Sequence, residues 1–341
     1  MNSPNTAAKR LVAIGGGGGA GHVLRGALPF FDQLTAVIAV TDTGRSTGLA
    51  RAIAQIPAPG DVRSTIAAMA SDPDALLPRL LQHRLRAAAL PELEGMAFGN
   101  LLLGALAQLT GDFGQAVTLL GTLVGTEAAV LPVSTADTQL CAELADGRIV
   151  EGELHVRGLN KPPIRRLFLA DQRAPAYAPA LQSIAQADVV ALGPGSLFTT
   201  VLATLLFDGM RQALRDTRAQ VVYICNTTTQ PGQTDGYTAF DHIAPLVELL
   251  GPGALDAVLI NRSDHDEATL ARHAAHGVHL LRPDDDELAR MAALGVRALA
   301  RDFAEHDAPG RQLWNKQDTI RHDPEVIGMA LHKLALDVGS Q

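Results

Sequence analysis

The segment Leu11-Val12-Ala13-Ile14-Gly15-Gly16-Gly17-Gly18-Gly19-Ala20-Gly21 opens with four apolar residues and passes directly into glycine. The apolar run reads as a short buried strand, and the periodicity after the glycines predicts a helix from about Gly21 to Leu28. A glycine loop between a strand and a helix suits phosphate. Glycine lets the backbone approach closely, and the helix N-terminus offers unpaired N–H groups and the positive end of its dipole. The register Gly16-x-Gly18-x-x-Gly21 satisfies the dinucleotide fingerprint. Five consecutive glycines satisfy many patterns, so the position after a strand is the more specific signal. No Lys-Ser/Thr pair follows, which argues against a Walker-type loop.

The same rhythm extends along the chain. Leu34 to Val40 is a second continuous apolar run, the pattern of a strand covered on both faces. Residues 62–87 read as helical with a break near Asp72-Pro73, and Phe98 to Leu109 and Gly114 to Val124 as two further helices. Between about 128 and 170 the pattern changes to short alternating runs, and Asp146-Gly147 predicts a hairpin whose second arm runs from Arg148 to Leu154. Strands then return at Asp188–Leu192, Gln220–Cys225 and Ala257–Asn261, with helices after Phe198 and Thr238. The expected fold is α/β and Rossmann-like: a mostly parallel sheet, helices on both faces, and a small antiparallel β insert. A single domain over 1–341 with the insert at about 128–170 is expected.

Composition narrows the function. The 341 residues are 47% hydrophobic and 19% charged, as in ordinary globular chains, and the net charge is −8. A polyanion is repelled overall, so nucleic acid is not an expected partner. Cys141 and Cys225 have neither metal nor redox spacing, which fits a reducing compartment. Leu11–Ile14 is too short for a signal-peptide core, and no apolar run of about 18 residues suggests a membrane span, so a cytoplasmic location is expected.

Further polar clusters follow the predicted strands. Asp42 stands where such folds place a ribose-binding acid, and Gly44, Arg45 and Ser46 extend its loop. Pro59-Gly60-Asp61-Val62-Arg63 offers a carboxylate and a guanidinium: Asp61 either caps the next helix or holds Mg²⁺ together with Asp42, and Arg63 adds a bidentate phosphate contact. Gly193-Pro194-Gly195-Ser196 is a second glycine loop before a helix, and Ser196 is not in a nucleophile elbow. Asn226 to Tyr237, with Gln230 and Asp235, is a long loop rich in amides and hydroxyls suited to a sugar or base. His22, His83 and His242 read as surface or capping residues.

These loops resemble those of the YvcK-like gluconeogenesis factor family, which is related to CofD, the 2-phospho-L-lactate transferase of deazaflavin cofactor synthesis. The resemblance is carried by Ile14-Gly15-Gly16-Gly17, Arg25-Gly26, Pro59-Gly60-Asp61-Val62-Arg63 and Phe98-Gly99-Asn100-Leu101-Leu102. It continues through Gly193–Thr199, Thr229–Thr238 and Arg321-His322-Asp323, so it spans most of the chain. It implies a site for UDP-N-acetylglucosamine or a similar nucleotide diphosphate, and a link to central carbon use or envelope precursors. The ligand set it implies comprises Gly16, Gly17, Gly18, Gly19, Asp42, Gly44, Arg45, Ser46, Asp61, Arg63, Asn100, Gly193, Gly195, Ser196, Asn226, Gln230, Asp235 and Arg321. The CofD branch transfers a phospholactyl group with Mg²⁺, for which Asp42 and Asp61 are the expected ligands.

The chain departs from the family's pattern in the loop after the second strand, where Asp-Asp-Gly-Gly-Ser-Ser-Gly is usual and Asp42-Thr43-Gly44-Arg45-Ser46-Thr47-Gly48 stands here. One carboxylate is lost and a positive charge gained. Gln233 replaces a second acid, and Pro324 follows Arg321-His322-Asp323 where Ser or Thr is common. The expected partner is a small nucleotide or nucleotide sugar, bound by a regulatory protein or sensor. The alternative is a CofD-like transferase that moves a phosphorylated small acid from a nucleotide diphosphate to an acceptor with Mg²⁺. An NAD-dependent oxidoreductase fits less well, since hydride transfer needs only one phosphate loop. A homodimer is left open.

Overall fold

The computed structural model describes residues 8–306 and 320–338. Ten strands occur among them: β1 Arg10–Gly15, β2 Gln33–Ile38, β3 Ala129–Pro132, β4 Leu140–Leu144, β5 Ile149–Glu151, β6 Ile164–Leu169, β7 Val189–Leu192, β8 Gln220–Ile224, β9 Ala257–Asn261 and β10 Arg297–Arg301. Seven form one sheet in the order β10-β9-β8-β7-β1-β2-β3, with every neighbouring pair parallel. The inner strands are buried on both faces, as their continuous apolar sequences require; Ala13 in β1 lies opposite Ala36 on one side and Ala191 on the other. The chain leaves β1 toward β2 and β3, and leaves β7 toward β8, β9 and β10. The direction of winding therefore reverses between β1 and β7, which opens a crevice at their carboxyl ends.

The remaining three strands make an antiparallel sheet in the order β5-β4-β6. It begins at Leu140 rather than near 128, because Ala129–Pro132 pairs with β2 and extends the parallel sheet. The hairpin's second arm also ends early. Gly152 takes a φ of 88° and turns the chain into a short helix, Glu153–Val156.

The first helix is longer than expected: it spans Gly17–Ala27, so it starts inside the glycine run. The last helix, Pro324–Val338, crosses it at Gly26 and Gly328, where a side chain at either position would strike the partner's backbone. That close crossing carries residues 320–323 to the carboxyl edge of the sheet, where Thr227 Oγ1 donates to the Ile320 carbonyl at 2.5 Å.

Candidate phosphate and nucleotide site

The glycine run divides its labour. A Cβ at Gly16 would stand 2.7 Å from Asp61 Oδ2 and 3.2 Å from Thr200, and one at Gly17 would meet Asp61's backbone carbonyl at 2.6 Å. One at Gly19 would overlap the Pro194 carbonyl. These glycines let the first loop pack between Asp61 on one side and the second glycine loop on the other. Gly18 differs: nothing lies within 4 Å of where its Cβ would be. It presents bare backbone to the crevice at the start of a helix that has no side-chain cap and no acid in its first turn. The helix Arg45–Ala54, capped by Gly44, likewise has no side-chain cap. Two unpaired N–H clusters therefore meet at this edge.

Asp42 accepts from the Gly44 backbone N–H at 2.9 Å and from Thr47 Oγ1 at 3.3 Å, which folds the loop back on itself. Asp61 lies in the first turn of the helix Gly60–Ala68, and Pro59 holds the capping position, so the capping expectation for Asp61 is corrected. Gly60 separates the two acids, with its Cβ position 3.4 Å from Asp42 Oδ2. Three other expected ligand residues form a buried brace instead. Arg63 Nε donates to Asn100 Oδ1 at 3.3 Å, and its Nη1 reaches the Leu81 carbonyl and Gln82 Oε1. Asn100 Nδ2 donates to Ser46 Oγ at 3.0 Å, and Ser46 also accepts from the Ala97 N–H at 2.9 Å. Burial, followed by the nearby Arg84 charge, pulls the Arg63 pKa down to about 10. Arg63, Asn100 and Ser46 thus tie four helices together, Arg45–Ala54, Gly60–Ala68, Leu76–Gln82 and Phe98–Thr110, which corrects the reading of Arg63 as a bidentate phosphate contact. The side chain of Arg45 lies outside the described residues.

The second half of the chain contributes matching loops. The Gly193–Pro194 peptide bond is cis. Gly195 N–H donates to Asn226 Oδ1 at 3.2 Å, and Ser196 Oγ donates to Gln233 Oε1 at 2.6 Å while accepting from Thr199 Oγ1 at 2.8 Å. Ser196 caps a π-helical turn, Leu197–Leu202. Asp235 is exposed and closes its own turn by accepting from the Gly232 N–H at 2.7 Å. Arg321 is half-buried, and its guanidinium has no partner among the described residues.

Buried polar atoms without a partner mark the same edge. They include Thr41 Oγ1, Asn226 Nδ2, Gln230 Oε1, Glu153 Oε2 and His322 Nε2, each in a segment at or packed against the carboxyl ends of the strands. Burial, and then the neighbouring His22, hold His322 down to about 4. Unsatisfied groups are expensive to bury, and these five are among eight such atoms in the described residues. His242 is buried too, which corrects the surface half of its surface-or-capping reading, and its Nδ1 bonds the Thr238 carbonyl.

The antiparallel insert bridges the two halves. Leu154 N–H donates to Thr43 Oγ1 at 3.2 Å, and Lys161 Nζ donates to the Gly232 carbonyl at 2.5 Å. Residues 153–161 thus form a strap from the Asp42 loop to the Gln230 loop. Its Glu153 is buried within hydrogen-bonding reach of Asp42 and paired to Arg157 at 3.0 Å. Burial, then the Asp42 charge, push its carboxyl up to about 7 against the pull of Arg157.

The family model for CofD, 2-phospho-L-lactate transferase, matches residues 11–304. The chain belongs to the CofD family. It is 35% identical over 323 residues to a gluconeogenesis factor of Halalkalibacterium halodurans, covering 95% of each chain. It is 34% identical to the gluconeogenesis factor of Bacillus subtilis, over 94% of this chain and 96% of that one. A crystal structure of an upf0052-family protein from Bacillus halodurans superposes with a TM-score of 0.85 at 33% identity, covering 96% and 99% of the two chains.

Within this CofD-family site the strap is what sequence reasoning overlooks. Glu153 sits in the predicted hairpin arm, and only the Glu153–Arg157 spacing of four, typical of a helical ion pair, hints otherwise. The Mg²⁺ that the family resemblance implies fits the donors present. Asp42 and Asp61 supply hard oxygens at the crevice, and Glu153 Oε2 has no donor. No group of three metal-ligating side chains occurs among the described residues. No described helix is long and apolar enough to cross a membrane.

Proposed function

We propose that the crevice binds a nucleotide diphosphate of the UDP-N-acetylglucosamine type, and that the chain acts as a regulatory or sensor protein linked to central carbon or envelope metabolism. The observation carrying this reading is the meeting of two glycine loops at one edge, with an uncapped helix N-terminus beside Gly18 and two buried amide atoms without a partner, Asn226 Nδ2 and Gln230 Oε1. The N–H cluster suits a diphosphate, and the amides suit a sugar or base. The names of the relatives support the metabolic assignment. Transfer of a phosphorylated small acid is the second reading, favoured by the match to the CofD model. In either case Asp42 and Asp61 are the residues to hold Mg²⁺, which would neutralise charge on the diphosphate.

A melting screen tests the proposal. A ligand at 100 times its dissociation constant stabilises the native state by about 2.7 kcal/mol. At least one of a UDP-sugar, GDP or NAD should raise the melting temperature, while uridine and guanosine leave it unchanged. Equal shifts from the free nucleosides would remove the diphosphate from the reading. Release of a phosphorylated acid product from a hit would move transferase ahead of sensor.

A further inference from the structure

We propose that Glu153 and Asp42 form a two-carboxylate seat for a divalent cation, with Glu153 supplying from the insert the acid that the Asp42–Gly48 loop lacks at Thr43. The seat lies in the crevice described above, so its role in the cell rests on the diphosphate reading, although the cation alone can test it.

The geometry is specific. The Glu153 side chain is only 9% exposed; Oε1 takes Arg157 at 3.0 Å, and Oε2 is buried with no donor. Its carboxyl nonetheless stands within hydrogen-bonding reach of Asp42, another acceptor. Two carboxyl groups within reach of each other, Glu153 buried and Asp42 half-buried, need either a shared proton or a cation between them. The surrounding donors are committed elsewhere. Arg51 bonds Asp137 at 2.5 Å, the Thr138 carbonyl and Gln139, and touches Asp42 only through the backbone carbonyl. Gly44 and Thr47 already hold the Asp42 oxygens without reaching Glu153.

The fold places Glu153 there by construction. Gly152, at a φ of 88°, ends β5 and turns the chain inward, and Thr43 Oγ1 then accepts the Leu154 N–H at 3.2 Å. The residue standing where the family's second acid is usual is thus the anchor of the strap that brings in another. Two hard oxygen donors beside a phosphate loop match the way Mg²⁺ is commonly held, by one or two carboxylates with the remaining positions left to phosphate and water. This gives the chain a second acid that its loop sequence does not show.

Mn²⁺ is the probe, followed by the loss of its free electron paramagnetic resonance signal on titration with the full chain, alone and with inorganic pyrophosphate. The wild-type protein should take up Mn²⁺. Glu153→Gln and Asp42→Asn should each weaken uptake by more than roughly tenfold, the lower bound seen when even an outer partner of a metal site is lost. Glu143→Gln, an insert acid paired to Arg165 and Arg166 instead, should leave it unchanged. Glu153→Asp keeps the charge one methylene short and should recover part of the affinity, and it replaces Glu153→Gln if that variant fails to fold. Uptake by Glu153→Gln equal to wild type overturns the proposal, and so does absence of uptake by wild type at millimolar Mn²⁺ in both arms. The melting screen repeated in EDTA separates the two readings. Diphosphate shifts with flat Mn²⁺ titrations sink the cation seat alone, whereas Glu153-dependent Mn²⁺ uptake without any diphosphate shift sinks the nucleotide reading alone.

Discussion

Arg63 and Arg321 both belong to the expected ligand set, yet their surroundings assign them different work. Arg63 is 7% exposed and hydrogen-bonded to Asn100, Gln82 and a main-chain carbonyl, whereas Arg321 is half-buried without a partner among the described residues. Truncating Arg63 would leave Asn100 Oδ1 without its buried donor, a loss that usually costs about 1–3 kcal/mol. Arg63→Ala should therefore lower the melting temperature of the ligand-free protein. Arg321→Ala should leave that temperature nearly unchanged and weaken diphosphate binding by about 1.5–3 kcal/mol, as loss of a charged hydrogen bond does. Calorimetric melting and titration of the two variants read both effects; the reverse assignment, with Arg63→Ala stable and binding-deficient, would restore Arg63 to the ligand. Sequence shows that these positions carry guanidinium groups. It does not show which carbonyls are within reach, because the partners of Arg63 are 18 or more positions away, in helices that only the tertiary fold brings together.

At the scale of elements, the strand–loop–helix units were the most legible part of the chain. The continuous apolar runs at β1, β2, β7, β8 and β9 correspond to strands buried along nearly their whole length, where both faces demand the same chemistry. β3 and β10 were illegible for the opposite reason: each is an edge strand, and Arg297-Ala298-Leu299-Ala300-Arg301 is only half-buried. The first helix starts earlier than its sequence predicts: glycine has low helix propensity, yet contacts with Pro194 and Asp61 hold Gly17–Gly19 in helical form. That packing makes the glycines unequal. Gly19→Ala forces a Cβ into the Pro194 main chain and should destabilise by about 1–3 kcal/mol, the range for overpacking. Gly18→Ala meets only open space and should leave the melt unchanged or slightly raised, since alanine exceeds glycine by about 0.5–1 kcal/mol within a helix. Its methyl group would instead occupy the approach to the helix N-terminus, so diphosphate binding should fall. Equal losses of stability in the two variants would show that Gly18 is as tightly packed as Gly19.

For the molecule as a whole, the crevice concentrates groups that folding holds away from their ordinary protonation, and two of them act in opposite senses. Glu153 is raised from 4.5 to about 7, so the folded state binds its proton more tightly than the unfolded chain does. The stability this contributes is fully present below about 4.5 and is lost as pH rises through about 7. His322 is lowered from 6.5 to about 4, so the folded state resists its proton; stability present above 6.5 is lost as pH falls toward about 4. Between about 4.5 and 6.5 the two slopes oppose each other. One proton of difference changes stability by about 1.4 kcal/mol per pH unit. In wild-type protein freed of metal with EDTA, these contributions should nearly cancel in that window. Glu153→Gln removes one of them, so its stability relative to wild type should decline as pH falls from about 6.5 to 4.5, by up to about 1.4 kcal/mol per unit. His322→Gln should show the opposite relative slope. Denaturant unfolding across this range, taken as the difference between each variant and wild type, cancels the carboxylates common to both. Parallel curves for Glu153→Gln and wild type would mean that Glu153 is ionised in the folded protein as freely as in the unfolded chain, and that the strap does not press it against Asp42.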